Sequence, residues 1–206
     1  MSQKRQSKSA QWHRVQEQDT QVRAARAQGY RSRSAFKLLE IDARERLLHS
    51  DVQIADLGCS PGGWLQVATQ KTDGKVVGVD LLPTKPVVGA HILQADFTQE
   101  KTIATILELF DGRADVVLSD MAPNLSGIAA ADQARAAELV RAAMNFALRV
   151  LPPTGRFLSK GFQGDDFPLL LEEMKKQFMT VKILHLQASR AASKEAYFLA
   201  RGVRKA

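Results

Sequence analysis

Cysteine is nearly missing from this chain of 206 residues: Cys59 stands alone. A single thiol cannot form an internal disulfide, so a cross-linked secreted scaffold is excluded. The four histidines, His13, His49, His91 and His185, are scattered without metal-ligand spacing, and structural zinc is not expected. No apolar run approaches the roughly 20 residues that span a bilayer. The opening MSQKRQSKSAQWHR has no apolar core of the kind a signal peptide carries, so the expectation is a soluble, cytoplasmic protein with no membrane partner. Two nucleotide signatures are also lacking. Neither the G-x-G-x-x-G dinucleotide pattern nor the lysine of a phosphate-binding P-loop occurs after any strand signal, which removes nicotinamide and triphosphate binding from consideration. There are no internal repeats and no low-complexity segments.

What is present suits one compact α/β domain, because 45% hydrophobic composition at this length can bury a full core. The net charge of +7 is unevenly placed. Residues 1–37 carry nine Lys or Arg against only Glu17 and Asp19, and the remainder is balanced. Residues 1–30 are therefore expected to form a basic arm and 31–206 the folded domain. A basic arm suits a phosphate backbone, whose counterions it releases on binding. A solvated tail is the plain alternative; a mitochondrial presequence fits less well, given Glu17 and Asp19 and the weak apolar face.

Past the arm, 32–49 reads as a helix with Phe36, Leu39, Ala43 and Leu47 at helical spacing. Strand and helix signals then alternate. Strands are expected at 52–57, 75–80, 91–96, 114–120, 155–160, 180–186 and 195–200, with helices at 64–71, 102–110, 131–150 and 166–178. Such alternation predicts a Rossmann-like, mostly parallel seven-stranded sheet with helices on both faces. The link between the last two strands is too short for a parallel crossover, so one strand should run antiparallel.

In such sheets ligands sit beyond the carboxyl ends of the strands. Those ends carry Asp56, Asp80, Asp96, Asp120 and Lys160, and the reversed last strand brings its first residue, Glu195, to the same edge. Six charges there are hard to assign to folding alone. The first turn, Gly58-Cys59-Ser60-Pro61-Gly62-Gly63-Trp64, would let a backbone approach a ligand closely and then offer the free N–H groups of a helix start to a carboxylate, such as the methionyl end of S-adenosylmethionine. Asp80 is placed to bind ribose hydroxyls, and Asp96 to meet an adenine amino group. The plain alternatives are glycines that cap a turn, aspartates that cap helices, and Trp64 as a core aromatic.

The strings RSRSAFKLLEI, DLGCSPGGW, VDLLP, DFT, SDMAPNLSG, KGFQG and SRAASKEAYFLA resemble, in order, the successive motifs of the FtsJ-type ribosomal RNA large-subunit methyltransferases. The resemblance spans nearly the whole chain. It implies S-adenosylmethionine-dependent 2′-O-methylation of a uridine in large-subunit rRNA, and a Lys-Asp-Lys-Glu tetrad that falls on Lys37, Asp120, Lys160 and Glu195. Cys59 and Ser60 stand where alanines are usual in the family, and LSK replaces its more usual VK-type strand end; no charged or glycine role is lost. The implied cofactor contacts are Gly58, Gly62, Gly63, Trp64, Asp80, Asp96 and Asp120.

The chemistry supplies a reason for four such charges. A sulfonium methyl is already activated, so the protein must chiefly align the hydroxyl oxygen and disperse its proton. Lys160 suits that task, either as a base made neutral by Lys37 and desolvation or as a donor that positions the oxygen. Taken singly, Lys37 could lay its stem over apolar surface, Asp120 and Lys160 could be a structural salt bridge, and Glu195 a solvated edge charge. Two rivals keep the fold: methylation of tRNA or an mRNA cap, and a non-catalytic ribosome-assembly factor. A monomer is expected.

Overall fold

The computed structural model describes residues 20–124, 126–189 and 194–204, so most of the expected basic arm lies outside the described residues. In chain order the elements are α1 (Thr20–Ala27), α2 (Ser34–Glu45), β1 (Ile54–Leu57), α3 (Gly63–Lys71), β2 (Val76–Asp80), β3 (Ala90–Gln94) and α4 (Glu100–Leu109). There follow β4 (Val116–Ser119), α5 (Ala129–Val150), β5 (Arg156–Phe162), α6 (Asp166–Gln177), β6 (Phe178–Leu184) and β7 (Glu195–Val203).

The strands form one seven-stranded sheet in the order β3-β2-β1-β4-β5-β7-β6. The first five pair in parallel, and β7 runs antiparallel to both β5 and β6. Rossmann-like topology with one reversed strand is thus the observed architecture. Alternate residues of each central strand face opposite layers, as the two-residue period of a strand requires. Ile54, Val76, Val116 and Leu158 pack with Leu38 and Ile41 of α2 and Leu65 of α3. Ala55, Val77, Val117 and Phe157 pack on the other face with Ile106 of α4, Phe146 of α5 and Met174 of α6. Each fully buried Leu, Ile or Phe contributes about 1.5–3 kcal/mol of transfer free energy.

Two boundaries matter for the site. The helix expected over 32–49 ends at Glu45, because Arg46 turns left-handed (φ 49°) and the Asp42 carboxylate accepts the Leu48 N–H at 2.8 Å. Strand β5 runs past Lys160 to Phe162, where the sequence reading ended it at 160, because Phe162 still pairs with Glu195. Among the described residues no helix is long and apolar enough to cross a membrane.

Candidate active site

Strands β1, β2 and β4 all point their carboxyl ends at one edge, and the turn after β1 shapes that edge. Gly58 has φ +72°, and a Cβ there would lie 2.3 Å from Met121 Cγ, so only glycine fits. Gly62 has φ +105° and caps the start of α3, with no side chain capping the first N–H groups. Those groups have no partner within the helix, and the helix dipole favours an anion beside them. Gly63 packs against the segment that leads into α2, where a Cβ would meet Ser32 Oγ at 2.2 Å. Arg31 holds the turn from behind: its guanidinium donates to the carbonyls of Pro61 (3.2 Å), Lys85 (2.6 Å) and Pro86 (2.5 Å).

A cleft of about 690 Å³ opens in front of this turn, within the size range of small-molecule sites. Gly58, Asp80, Asp96 and Asp120 all line it, and Leu81 and Leu82 add exposed apolar surface at its wall. Asp80 shapes the turn: Oδ2 accepts the Ser60 N–H and Oδ1 the Leu82 N–H, both at 2.8 Å. Each carboxylate oxygen has a second lone pair, so Asp80 can still accept from a ligand hydroxyl. Asp96 Oδ1 accepts from the Thr98 N–H and hydroxyl, and these bonds hold its carboxyl below the usual range. A second cavity of about 40 Å³ lies behind, lined by Asp56, Gly58, Gly63, Trp64 and Asp120 among others. Trp64 is a core aromatic at its floor: the indole is 3% exposed and donates to the Ser34 carbonyl at 2.8 Å. Gly62 lines neither cavity; it faces Arg31 and Val87.

Beside the cleft, four charged residues form two ion pairs. Lys160 Nζ donates to the Asp120 backbone carbonyl at 2.6 Å and lies 3.1 Å from Asp120 Oδ1. Lys37 Nζ lies 2.6 Å from Glu195 Oε1. Both lysine side chains are less than a tenth exposed. Burial works against the charge on Glu195, yet hydrogen bonds from Lys37 and Ser189 outweigh it and keep the carboxyl below its ordinary value. The two pairs meet at Tyr197, which the sequence reading passed over. Its hydroxyl donates to Asp120 Oδ1 at 2.7 Å, and its ring centroid lies 5.8 Å from Lys37 Nζ. Burial, with Asp120 next, pushes the Tyr197 phenol well above its usual value, so it stays a donor. The only signal for Tyr197 in the sequence was its two-residue spacing from Glu195, which puts both on one face of a strand.

Asp56 is buried at the end of β1, and its Oδ2 has no hydrogen-bond partner. Burial, then the carboxylates of Asp120 and Asp80, pushes its carboxyl well above the ordinary range. The adjacent Cys59 thiol is pushed up to about 12, by burial first and then by Asp56. No group of three or more potential metal ligands occurs among the described residues. Lys160 has three N–H donors; one goes to the Asp120 carbonyl and the Asp120 carboxylate lies 3.1 Å away, which leaves capacity for a further acceptor. The site is therefore built to hold a polar ligand beside Asp120 and to present a hydrogen-bond donor next to it.

The family model for FtsJ-like methyltransferases matches residues 30–203, the whole sheet and every residue of both ion pairs. This chain belongs to the FtsJ-like methyltransferase family. Curated relatives of this methyltransferase agree over nearly its full length. Ribosomal RNA large subunit methyltransferase E of Azoarcus sp. is 46% identical over 95% of this chain and 97% of its own. The protein of that name from Alkalilimnicola ehrlichii is 44% identical over 97% of each chain. A solved structure described as a ribosomal RNA methyltransferase of Plasmodium falciparum superposes with a TM-score of 0.75 at 25% identity, covering 84% of this chain and 98% of that one. An enzyme of this family needs a methyl donor, and the cleft fits one. The glycine at 58 that no Cβ could replace, the uncapped start of α3 and the acceptors Asp80 and Asp96 suit a nucleoside carrying an amino-acid end.

Proposed function

We propose that this methyltransferase carries a methyl group from S-adenosylmethionine to the ribose 2′-hydroxyl of a uridine in large-subunit rRNA, with the assembled large ribosomal subunit as substrate, and works as a cytoplasmic monomer. The observation that carries the reading is the double role of Asp120, which lines the cleft and also holds Lys160. That link, through Asp120, is what supports Lys160 as the donor that meets the ribose oxygen. The names of the curated relatives support rRNA as acceptor.

The cofactor, held by Gly58, Gly63, Asp80, Asp96 and Asp120, supplies a methyl group already primed for transfer. Lys160, paired with a carboxylate, acts as an ammonium: a remaining N–H orients the ribose oxygen and stabilises negative charge that develops there. Asp120 fixes Lys160, and Tyr197 fixes Asp120. Lys37 and Glu195 complete a neutral set of four charges, which a buried site tolerates better than a lone lysine. The hydroxyl proton leaves to solvent as the carbon–oxygen bond closes. Residues 1–30 act as the basic arm that engages the RNA backbone.

The test is transfer of tritiated methyl from S-adenosylmethionine to large ribosomal subunits, free rRNA and tRNA in parallel, with wild type, Lys160→Ala and a chain lacking residues 1–30. Wild type should label large subunits. Lys160→Ala should keep its fold and its donor affinity while losing about 10²–10³-fold in turnover. The shortened chain should bind RNA more weakly and with a shallower salt dependence. Near-normal turnover in Lys160→Ala would overturn the role given to Lys160, and labelling confined to tRNA would overturn the substrate.

A further inference from the structure

Asp56 takes no part in the chemistry above, yet it is the most confined carboxyl among the described residues. It is 1% exposed, and its Oδ2 is the one buried side-chain polar atom among the described residues without a partner. A polar atom in that state costs about 1–3 kcal/mol. The atom is not walled in by apolar side chains. Asp56 lines the cavity of about 40 Å³ that it shares with Gly58, Gly63 and Asp120, and Gly58 and Asp120 line the main cleft as well. The carboxyl thus lines a small cavity that shares Gly58, Ser60 and Asp120 with the cleft, one wall away from the cleft itself.

The groups around Asp56 are mostly of one sign. Strand β2 contributes Asp80 and the segment after β4 contributes Asp120, both of which disfavour a negative charge on Asp56. The turn contributes Cys59, whose thiol stays protonated. Helix α2 contributes Ser34 to the small cavity, and α3 contributes Gly63 and Trp64, none of them charged. No cation figures among the groups that act on Asp56, and Lys160, the lysine that Asp120 holds, is already paired. With an empty cleft, no cation is left over for a third carboxylate, and burial beside Asp120 and Asp80 favours the protonated form of Asp56.

We propose that Asp56 gives up this proton when the cationic methyl donor enters the cleft and regains one when the neutral thioether product is left behind, so that one buried carboxyl makes the protein prefer donor over product. The inference rests on the reading that the cleft takes S-adenosylmethionine. S-adenosylmethionine carries a net positive charge at its sulfonium, whereas in S-adenosylhomocysteine the amino-acid ammonium and carboxylate cancel and the sulfur is neutral. Only the donor brings the charge that two carboxylates without a spare partner, Asp56 included, can share. The proton ledger closes over one turnover. Asp56 releases a proton to solvent on donor binding; the sulfur keeps the electron pair of the broken carbon–sulfur bond; the hydroxyl proton is liberated as the carbon–oxygen bond forms; and Asp56 takes one proton back. The net release is the one proton that the methylation itself requires.

Linkage sets the sign. If the free protein holds a proton that the complex does not, donor affinity rises with pH by up to about tenfold per unit, until the free protein also loses it. Product affinity should stay flat over the same range. The experiment is calorimetric titration of the full chain with S-adenosylmethionine and with S-adenosylhomocysteine between pH 5 and 8, in buffers of different ionisation enthalpy. The expected result is release of about one proton per donor bound and close to none per product bound. Asp56→Asn should abolish the release, flatten the donor's pH dependence and shrink the preference for donor over product. Equal release for both ligands, or none for either, overturns the inference while leaving the cofactor reading intact. Absence of binding by either ligand overturns the cofactor reading, and this inference with it. The wild-type measurement decides the matter even if Asp56→Asn fails to fold.

Discussion

Glu195→Gln isolates the more buried of the two ion pairs. The amide keeps the size of the carboxylate and can still accept from Lys37, but the charge opposite Lys37 Nζ at 2.6 Å is gone. Breaking a buried pair outright costs about 3–5 kcal/mol, because the surviving charge stays desolvated. Here a neutral acceptor remains, so a loss of about 2–3 kcal/mol is expected. For a chain of this size each kcal/mol lowers Tm by about 2–4 °C, giving a fall of about 4–12 °C in scanning calorimetry at neutral pH. The sign of the pH dependence follows from the depressed carboxyl of Glu195. A group of that kind stabilises the fold above its unfolded value of 4.5 and loses its contribution as pH falls through its lower folded value. The difference in Tm between wild type and variant should therefore be full at neutral pH and shrink on acidification below 4.5. Adding Lys37→Met should cost less than the two single changes together, since the second removes the charge stranded by the first. A variant within about 1 °C of wild type, strict additivity, or a difference that grows in acid would refute the account of Lys37 and Glu195 as a coupled buried pair.

Two further outcomes can be checked directly. Gly58→Ala combines a left-handed backbone with a contact of 2.3 Å to Met121, so it should lower stability by about 1–3 kcal/mol and abolish measurable donor binding; unaltered affinity would show that the turn yields without disturbing the cleft. Cys59, buried and with its thiol pushed up to about 12, should resist iodoacetamide at pH 8 in the native protein and react readily once unfolded. Rapid native labelling would contradict the burial assigned to it.

Element positions were legible because this fold depends on patterns a sequence displays openly. Strand β1 is wholly buried and reads as an apolar run; β5 is nearly so. Helix α5 is rich in alanine and ends before Pro152. Helix α1 was not legible: TQVRAARA has only small apolar side chains and buries only Ala25, so no apolar period announces it. The charged residues at the sheet edge could be picked out one by one, and a salt bridge between Asp120 and Lys160 with them, but not the specific pairing of Lys37 with Glu195. Grouping Lys37 with Glu195 and Lys160 with Asp120 depends on register, above all on Lys160 standing opposite Tyr197 in the β5–β7 pair. The same holds for Arg31, which reads as one more cation of a basic stretch. In the structure it braces the carbonyls of Lys85 and Pro86, more than fifty residues away. Gly62 reads as a ligand contact, and the structure adds that a Cβ there would meet Arg31 and Val87.

The insertion of β7 between β5 and β6 has a consequence for the order in which the molecule can assemble. During synthesis the chain emerges from its N-terminal side, and each parallel strand up to β5 finds its neighbour already made. Strand β6 is different: it pairs only with β7, so it has no sheet to join until Glu195–Val203 has appeared. A nascent chain that has reached Leu184 therefore carries the cofactor-side aspartates in place but an unpaired β6 and an exposed edge on β5. The stroke that closes the sheet also delivers Glu195 and Tyr197 to Lys37 and Asp120. Completion of the sheet and completion of the Lys37–Glu195 pair thus both wait on the same strand, β7.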